Sequence, residues 1–551
     1  MNLGTAPFKQ HHTVIALVLA SLAGLPATAN HASVDLEPIA NLLKGDARLI
    51  WMGDSYCSTW MARVPAAALN TWPIKRISAI EGGAARYHGI ITGVDRCAPL
   101  HIVQASDSLG YRVERAGASP THFGLPVRGI QEVCTTSDLV LGTDNQVIEF
   151  RLLNQRLATG LHGAFSAAGD QLRMRFLYRA TNDPADQLPS AILKDFDGDS
   201  TTIDLAGSSR GFLHLGESPL SGRQPASGHI NAALPDIEAN NDLDQVIRVP
   251  LSIDPALLGS NQYLDAAGVI YYQVDAKGHR VPGLYFSYLA DDSWSLNGFG
   301  DDLPCQDTHH KVFTREQLVH WLDVTTLDPV QPVIFAWYLD PEALGYDAGR
   351  VRMENMIDMA DAAAQDVGLS SAQHLLVTPH RTILAVGDSD YFIECLQQAS
   401  YDIAMDRTNV SAASIYAATD GVLFDGSDEA EAWLQEHGFD DFEYGTLHEN
   451  LVADPVSGRL LDYAGIHPVS DAAGAFFATV LGDLLREAGC PTDFIPDGRN
   501  NIDDLLHVIT EWGSPFEDDP SGNGIMDIGE FLMVISDWGD CWPVQAPFNQ
   551  P

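Results

Sequence analysis

Two residues more than four hundred positions apart carry the chemistry to which this chain is best suited. Ser55 stands in Gly53-Asp54-Ser55, directly after the apolar run Leu49-Ile50-Trp51-Met52. That pattern predicts a strand that breaks at a turn and presents a serine hydroxyl at its C-terminal end, where open α/β sheets build their sites. Such a turn is also a common chain reversal, and the hydroxyl is a poor nucleophile unless a histidine takes its proton and an acid orients the imidazole. His467, in Gly465-Ile466-His467-Pro468, is the candidate base. The chemistry these two residues could do together is acyl transfer.

The elements that must position them alternate between strands and helices. Strands are expected at 48–53, 72–81, 269–274, 283–289, 333–338 and 374–379. Helices are expected near 314–322, 348–364 and 382–404, with a final helix after His467-Pro468. This alternation implies an α/β fold with a three-layer, mostly parallel sheet. From 95 to 265 the texture changes to short alternating segments, such as Gln146–Leu153 and Leu172–Tyr178, separated by Gly, Asp, Asn and Pro. That region is expected to be a β-rich insertion, in the manner of a sandwich. The expected organisation is a leader at 1–29, a split α/β domain at 30–94 and 266–489, the insertion at 95–265, a C-terminal repeat module at 490–541 and a tail at 542–551.

Composition bounds the setting. Lys9, His11 and His12 precede the apolar run Val14–Ala20, and Ala27-Thr28-Ala29 suits a cleavage site, so the protein is expected to be exported, secreted or held at the cell surface. No later apolar run is long enough for a transmembrane segment. With 31 basic against 74 acidic residues the formal charge is −43, a field that repels nucleic acid and attracts cations. The seven cysteines include no Cys-x-x-Cys pair, which argues against a zinc or redox motif. Cys490 and Cys541 flank the C-terminal repeat and are the expected disulfide, and an odd count leaves at least one thiol unpaired.

Between those cysteines one unit occurs twice, offset by 26 residues: an acidic loop, then an apolar pattern at helical spacing. Calcium takes oxygens from loop positions 1, 3, 5, 7 through the backbone, 9 and 12, with Gly at position 6. In the second loop Asp519, Ser521, Asn523, the Ile525 carbonyl, Asp527 and Glu530 fill every position, and Gly524 makes the turn. In the first, Asp493, Asp497, the Arg499 carbonyl, Asn501 and Asp504 fit. Ile495 at position 3 offers no side-chain oxygen, so this loop is expected to bind more weakly. Calcium is the expected cofactor of the repeat, and none is expected for catalysis.

The Gly53-Asp54-Ser55 and Gly465-Ile466-His467-Pro468 blocks resemble the first and last motifs of the GDSL/SGNH serine hydrolases. The resemblance implies a flavodoxin-like three-layer sheet and ester hydrolysis, with Ser55 as nucleophile and His467 as base. The family's acid lies three residues before the histidine, where this chain has Ala464; the nearest acid is Asp462. The resemblance also implies oxyanion donors from the Ser55 N–H and from Gly82 or Gly83. The family's Gly-x-Asn-Asp turn is missing: Tyr338-Leu339-Asp340-Pro341 follows one strand, and Asn297 follows another. A second Gly387-Asp388-Ser389 lies within the helix expected over 382–404. Fewer than eighty residues separate it from His467, too few for this fold. The paired loops with Cys490-Pro491 and Trp538-Gly539-Asp540-Cys541 resemble cysteine-bracketed dockerin modules, found at the C-termini of exported planctomycete proteins. That resemblance implies a cohesin-like or other surface partner. The first expectation is therefore an exported ester hydrolase acting on an acylated extracellular polysaccharide. The alternative is a non-enzymatic surface protein whose degenerate hydrolase fold binds glycan.

Overall fold

The computed structural model describes residues 32–43, 46–53, 277–280, 296, 314–338, 344–369, 372–383, 389–437, 460–461, 471–495, 499–515 and 525–540, together with the strands between 88 and 290 named below. β1 (Ser33–Val34), α1 (Glu37–Leu43) and β2 (Arg48–Gly53) come first. Then follow β3 (His88–Thr92), β4 (Leu100–Ile102), β5 (Gly110–Glu114), β6 (Thr121–Phe123), β7 (Val147–Leu153) and β8 (Gln171–Ala180). β9 (Ser190–Lys194), β10 (Ser200–Asp204), β11 (His214–Pro219), β12 (Val246–Ser252) and β13 (Tyr263–Val274) complete this run of strands. Strands and helices then alternate: β14 (Tyr285–Ala290), α2 (Arg315–Thr325), β15 (Val333–Tyr338), α3 (Tyr346–Asp366), β16 (Ala372–Thr378), α4 (Ser389–Asp406) and β17 (Val410–Ser414). After them come α5 (Ile415–Ala418), α6 (Asp428–Glu436) and α7 (Asp471–Gly489). The C-terminal segment holds β18 (Arg499–Asn500), α8 (Ile502–Thr510), α9 (Ile528–Ser536) and β19 (Gly539–Asp540).

Every residue of β2, β15 and β17 is buried. Near-continuous apolar runs of this kind are what parallel strands between two helical layers require. The parallel strands lie in the order β17-β16-β15-β2-β14, with β1 antiparallel on the β17 edge. Numbered along the chain these five strands read 2-1-3-4-5 from the β14 side, a doubly wound α/β sheet whose switch point lies between β2 and β15. Alternate side chains go to opposite faces. Ile50, Met52, Phe335 and Trp337 join α2, α3 and α4 in one core cluster. On the other side α7 packs against α1, α5 and β17.

Beyond β14 the sheet continues through β3, parallel, into β13, which pairs antiparallel with β3, β5 and β8. The texture change expected at residue 266 thus falls inside one strand, because an alternating segment looks alike on either side of that point. A separate antiparallel sheet has the order β10-β9-β12-β7-β4. The strand expected at 72–81 lies outside the described residues. The helix expected over 382–404 is described from Ser389 to Asp406, and Gly387-Asp388 lie outside the described residues. Asp390 sits in its first turn, where a carboxylate suits the helix dipole, and pairs with Arg381 at 2.5 Å.

At the start of β2, Arg48 is buried, an unusual place for a guanidinium. It donates to the Thr325 and Thr326 hydroxyls at 2.7 and 3.2 Å and lies over the Trp321 ring, 4.9 Å from its centroid. Those hydroxyls in turn donate to the Trp321 and Leu322 carbonyls in the last turn of α2, where a cation is favoured. Lysine lacks the planar fork and cannot keep this set of contacts. Arg48→Lys is expected to cost about 1–3 kcal/mol, read as a lowered melting temperature.

Candidate functional site

Open α/β sheets build their sites at the C-terminal edge of the parallel strands. There Gly53 is in register with Tyr338 of β15 on one side and Ala290 of β14 on the other. β2 thus ends beside the switch point, and Asp54-Ser55 follow Gly53 in the chain. Ser55, Asp462, His467, Gly82, Gly83 and Asn297 themselves lie outside the described residues. Their flanks are described: β2 ends two residues before Ser55, α7 begins four residues after His467, and Leu296, next to Asn297, is buried in the core. Asn297 comes seven residues after the end of β14, which pairs with β2 on the side opposite β15, while Gly82-Gly83 come before β3 in the chain.

The described part of this edge is polar and aromatic. Tyr338 stacks on Trp51, with ring centroids 5.8 Å apart, and its hydroxyl lies 3.1 Å from His380 Nδ1. His380, two residues past β16, stacks on Phe477 of α7 at 4.1 Å. Tyr338 and His380 are both fully buried. Thr378 and Thr382 are buried beside them in sequence, and their hydroxyls find no partner. Sequence reasoning missed His380; the one available signal is a histidine just past the end of a buried strand.

A second buried histidine has another task. Trp337 Nε1 is a donor only, so it donates to His374 Nδ1 at 3.1 Å, which leaves the proton on Nε2 to bond Asp361 of α3 at 3.0 Å. Both ring nitrogens are engaged, and the chain fastens sheet to helix. Burial pushes the Asp361 carboxyl up, but hydrogen bonds from His374 and Asn409 and the charge of Arg407 outweigh it and hold Asp361 below the usual carboxylate range.

In the C-terminal segment both helices begin with a reciprocal cap. Asn501 accepts from Asp503 N, while Asp504 returns to Asn501 N at 2.8 Å and also accepts from Ile495 N at 2.8 Å. Asp527 accepts from Gly529 N, and Glu530 Oε2 accepts from Asp527 N at 2.7 Å. Asp504 and Glu530 are fully buried, but the two differ: Glu530 Oε1 is buried without a partner. Asp493 is half-buried, the Arg499 backbone pairs with Asp540, and Ile525 bridges Pro515. Asp497, Asp519, Ser521 and Asn523 lie outside the described residues. Among the described residues no three His, Cys, Asp or Glu side chains gather as a metal site. Cys490 is disulfide-bonded, its expected partner Cys541 lies outside the described residues, and Cys395 is free. No described helix is long and apolar enough to cross a membrane.

No family model matches the sequence, and no curated protein is similar to it. Among solved structures, a peptidoglycan O-acetylesterase overlaps at 10% identity and a TM-score of 0.40, over 82% of this chain and 94% of that one. The Bacillus subtilis protein YXIM overlaps at 8% identity and a TM-score of 0.25, over 73% and 98% of the two chains. A family two carbohydrate esterase from Cellvibrio japonicus overlaps at 9% identity and a TM-score of 0.19, over 57% and 88%. Overlaps this loose decide neither fold nor activity; the α/β architecture stands on its own sheet order.

Because the Asp361 carboxylate titrates lower in the folded chain, its contribution is present above the unfolded value of about 3.9 and is lost as pH falls through the folded value. Asp361→Asn is expected to destabilise by about 1–2 kcal/mol at pH 7, with the gap to wild type narrowing in melts as pH falls below the unfolded value of about 3.9.

Proposed function

We propose that the chain is an exported serine ester hydrolase. The observation that supports this reading is the sheet order: β2, the strand that Asp54-Ser55 follow in the chain, borders the switch point of a doubly wound sheet, where such folds bind and transform ligands. In this reading Ser55 attacks an acyl ester, His467 takes and returns the proton, and Asp462 orients the imidazole. The Ser55 N–H, Gly82 or Gly83, and Asn297 supply oxyanion donors. The substrate is an acylated extracellular polysaccharide, and the products are a carboxylic acid and an alcohol. Ala464 and Asp340, standing where an acid and an amide are wanted, favour the second reading, a glycan-binding protein with a degenerate hydrolase fold.

The domain partition at 94/95, 265/266 and 489/490 belongs to the same proposal, its second boundary falling within β13. In it residues 490–541 are a calcium-dependent, dockerin-like anchor, for which the orphaned, fully buried Glu530 Oε1 is the supporting observation. A buried carboxylate oxygen without a donor is costly, and a hard cation satisfies it. Asp519, Ser521, Asn523, the Ile525 carbonyl, Asp527 and Glu530 hold that ion. In the first loop, Asp493, Asp497, the Arg499 carbonyl, Asn501 and Asp504 hold a weaker one, because the Ile495 N–H already occupies Asp504. The helices leave matching apolar side chains exposed, Ile502, Leu506, Ile509 and Trp512 on one and Ile528, Leu532, Ile535 and Trp538 on the other, a face suited to a cohesin-like surface partner.

Labelling with a fluorophosphonate probe in calcium buffer tests the nucleophile. Wild type and Ser389→Ala are expected to label and Ser55→Ala to remain unlabelled; a folded wild type that takes no label favours the binding protein. Glu530→Gln is expected to weaken the tighter calcium site by about tenfold or more in a calorimetric titration, and Asp504→Asn to leave that site nearly unchanged.

A further inference from the structure

We propose that Tyr338 and His380 form a positioning pair for the Ser55–His467 site, an inference that rests on the hydrolase reading above. Tyr338 is the residue in register with Gly53, which lies two residues before Ser55 in the chain. Its ring stacks on Trp51, two residues before Gly53 in the same strand. Its hydroxyl meets His380 at 3.1 Å, a bond that either imidazole tautomer can make because a phenol both donates and accepts. The His380 ring lies against Phe477, 4.1 Å between centroids and 19° from parallel, on the helix that starts four residues after His467. A continuous buried path thus runs from the strand that carries the nucleophile turn to the helix that follows the base: Trp51, Tyr338, His380, Phe477.

The polar link in that path needs a reason. Apolar packing would join sheet to helix at less cost, since burying an imidazole and a phenol pays only when their polar atoms are bonded. The neighbouring Thr378 and Thr382 hydroxyls are also buried, and neither has a partner. What a hydrogen bond adds over packing is direction. It fixes the rotation of the His380 ring and with it the seat of Phe477 on α7, the helix that begins four residues after His467 in the chain. Reacting groups displaced by about 1 Å lose up to about a hundredfold in rate, so such a support acts on turnover more than on binding.

The test compares steady-state hydrolysis of a p-nitrophenyl ester by wild type, Tyr338→Phe, His380→Leu and His380→Gln, with fluorophosphonate labelling of wild type in parallel. Tyr338→Phe keeps the ring and deletes only the hydroxyl. It is expected to lower kcat about tenfold with KM within about twofold, and His380→Leu to match it. His380→Gln retains a side-chain partner for the phenol and is expected to recover most of the rate. Unchanged kcat in Tyr338→Phe and His380→Leu, or equal losses in the Leu and Gln variants, overturns the positioning role while labelled wild type leaves the hydrolase reading intact. A wild type that neither labels nor hydrolyses the ester overturns that reading, and the pair's role falls with it.

Discussion

The position of β2 is the constraint on which everything else depends. It is the first strand of the parallel set yet lies inside the sheet, hydrogen-bonded in parallel to β14 on one side and β15 on the other. No residue of it reaches solvent, so its register is held tightly: a slip by one residue would carry Ile50 and Met52 away from the α2–α4 face. Arg48 fastens its start to the end of α2, and Trp51 fastens its end to Tyr338. With both ends held, the exit of the chain at Gly53 is a fixed point. A catalytic turn needs such a mounting more than it needs any one neighbouring side chain.

The same molecule uses buried polar groups for three different purposes. Arg48 and the Trp337-His374-Asp361 chain bind sheet to helix, with their hydrogen bonds met inside the protein. The Tyr338–His380 pair lies at the edge where chemistry is expected. Asp504 and Glu530 begin helices, yet only Glu530 keeps an oxygen unspent. The two halves of the C-terminal repeat are thus alike in sequence and unlike in hydrogen bonding: in the first the Ile495 backbone N–H donates to Asp504, and the Ile495 side chain offers no oxygen.

Much of this was legible before any coordinates. The strand expected at 333–338 is β15 to the residue, the helix expected near 348–364 spans Tyr346–Asp366, and Tyr285–Ala290 answers the strand expected at 283–289. Buried parallel strands are continuous apolar runs, and a local pattern of that kind survives in one dimension. The order of the strands does not, because nothing local distinguishes β14 from β15 as neighbours of β2. Nor does the pairing of Tyr338 with His380, which 42 residues separate. The helix expected near 382–404 includes Ser389–Asp406, while Thr382 and Ile383, at its expected start, are not helical. At the site itself, residue type and spacing single out Ser55 and His467, and distance is what they leave open.

The separation of those two side chains therefore tests the central claim most directly. A crystal structure of the calcium-loaded protein is predicted to place Ser55 Oγ within about 3.5 Å of His467 Nε2, at the C-terminal edge of β2. A well-ordered site with Oγ and Nε2 separated by more than about 6 Å, and with no other base within reach of Ser55, would contradict a serine hydrolase.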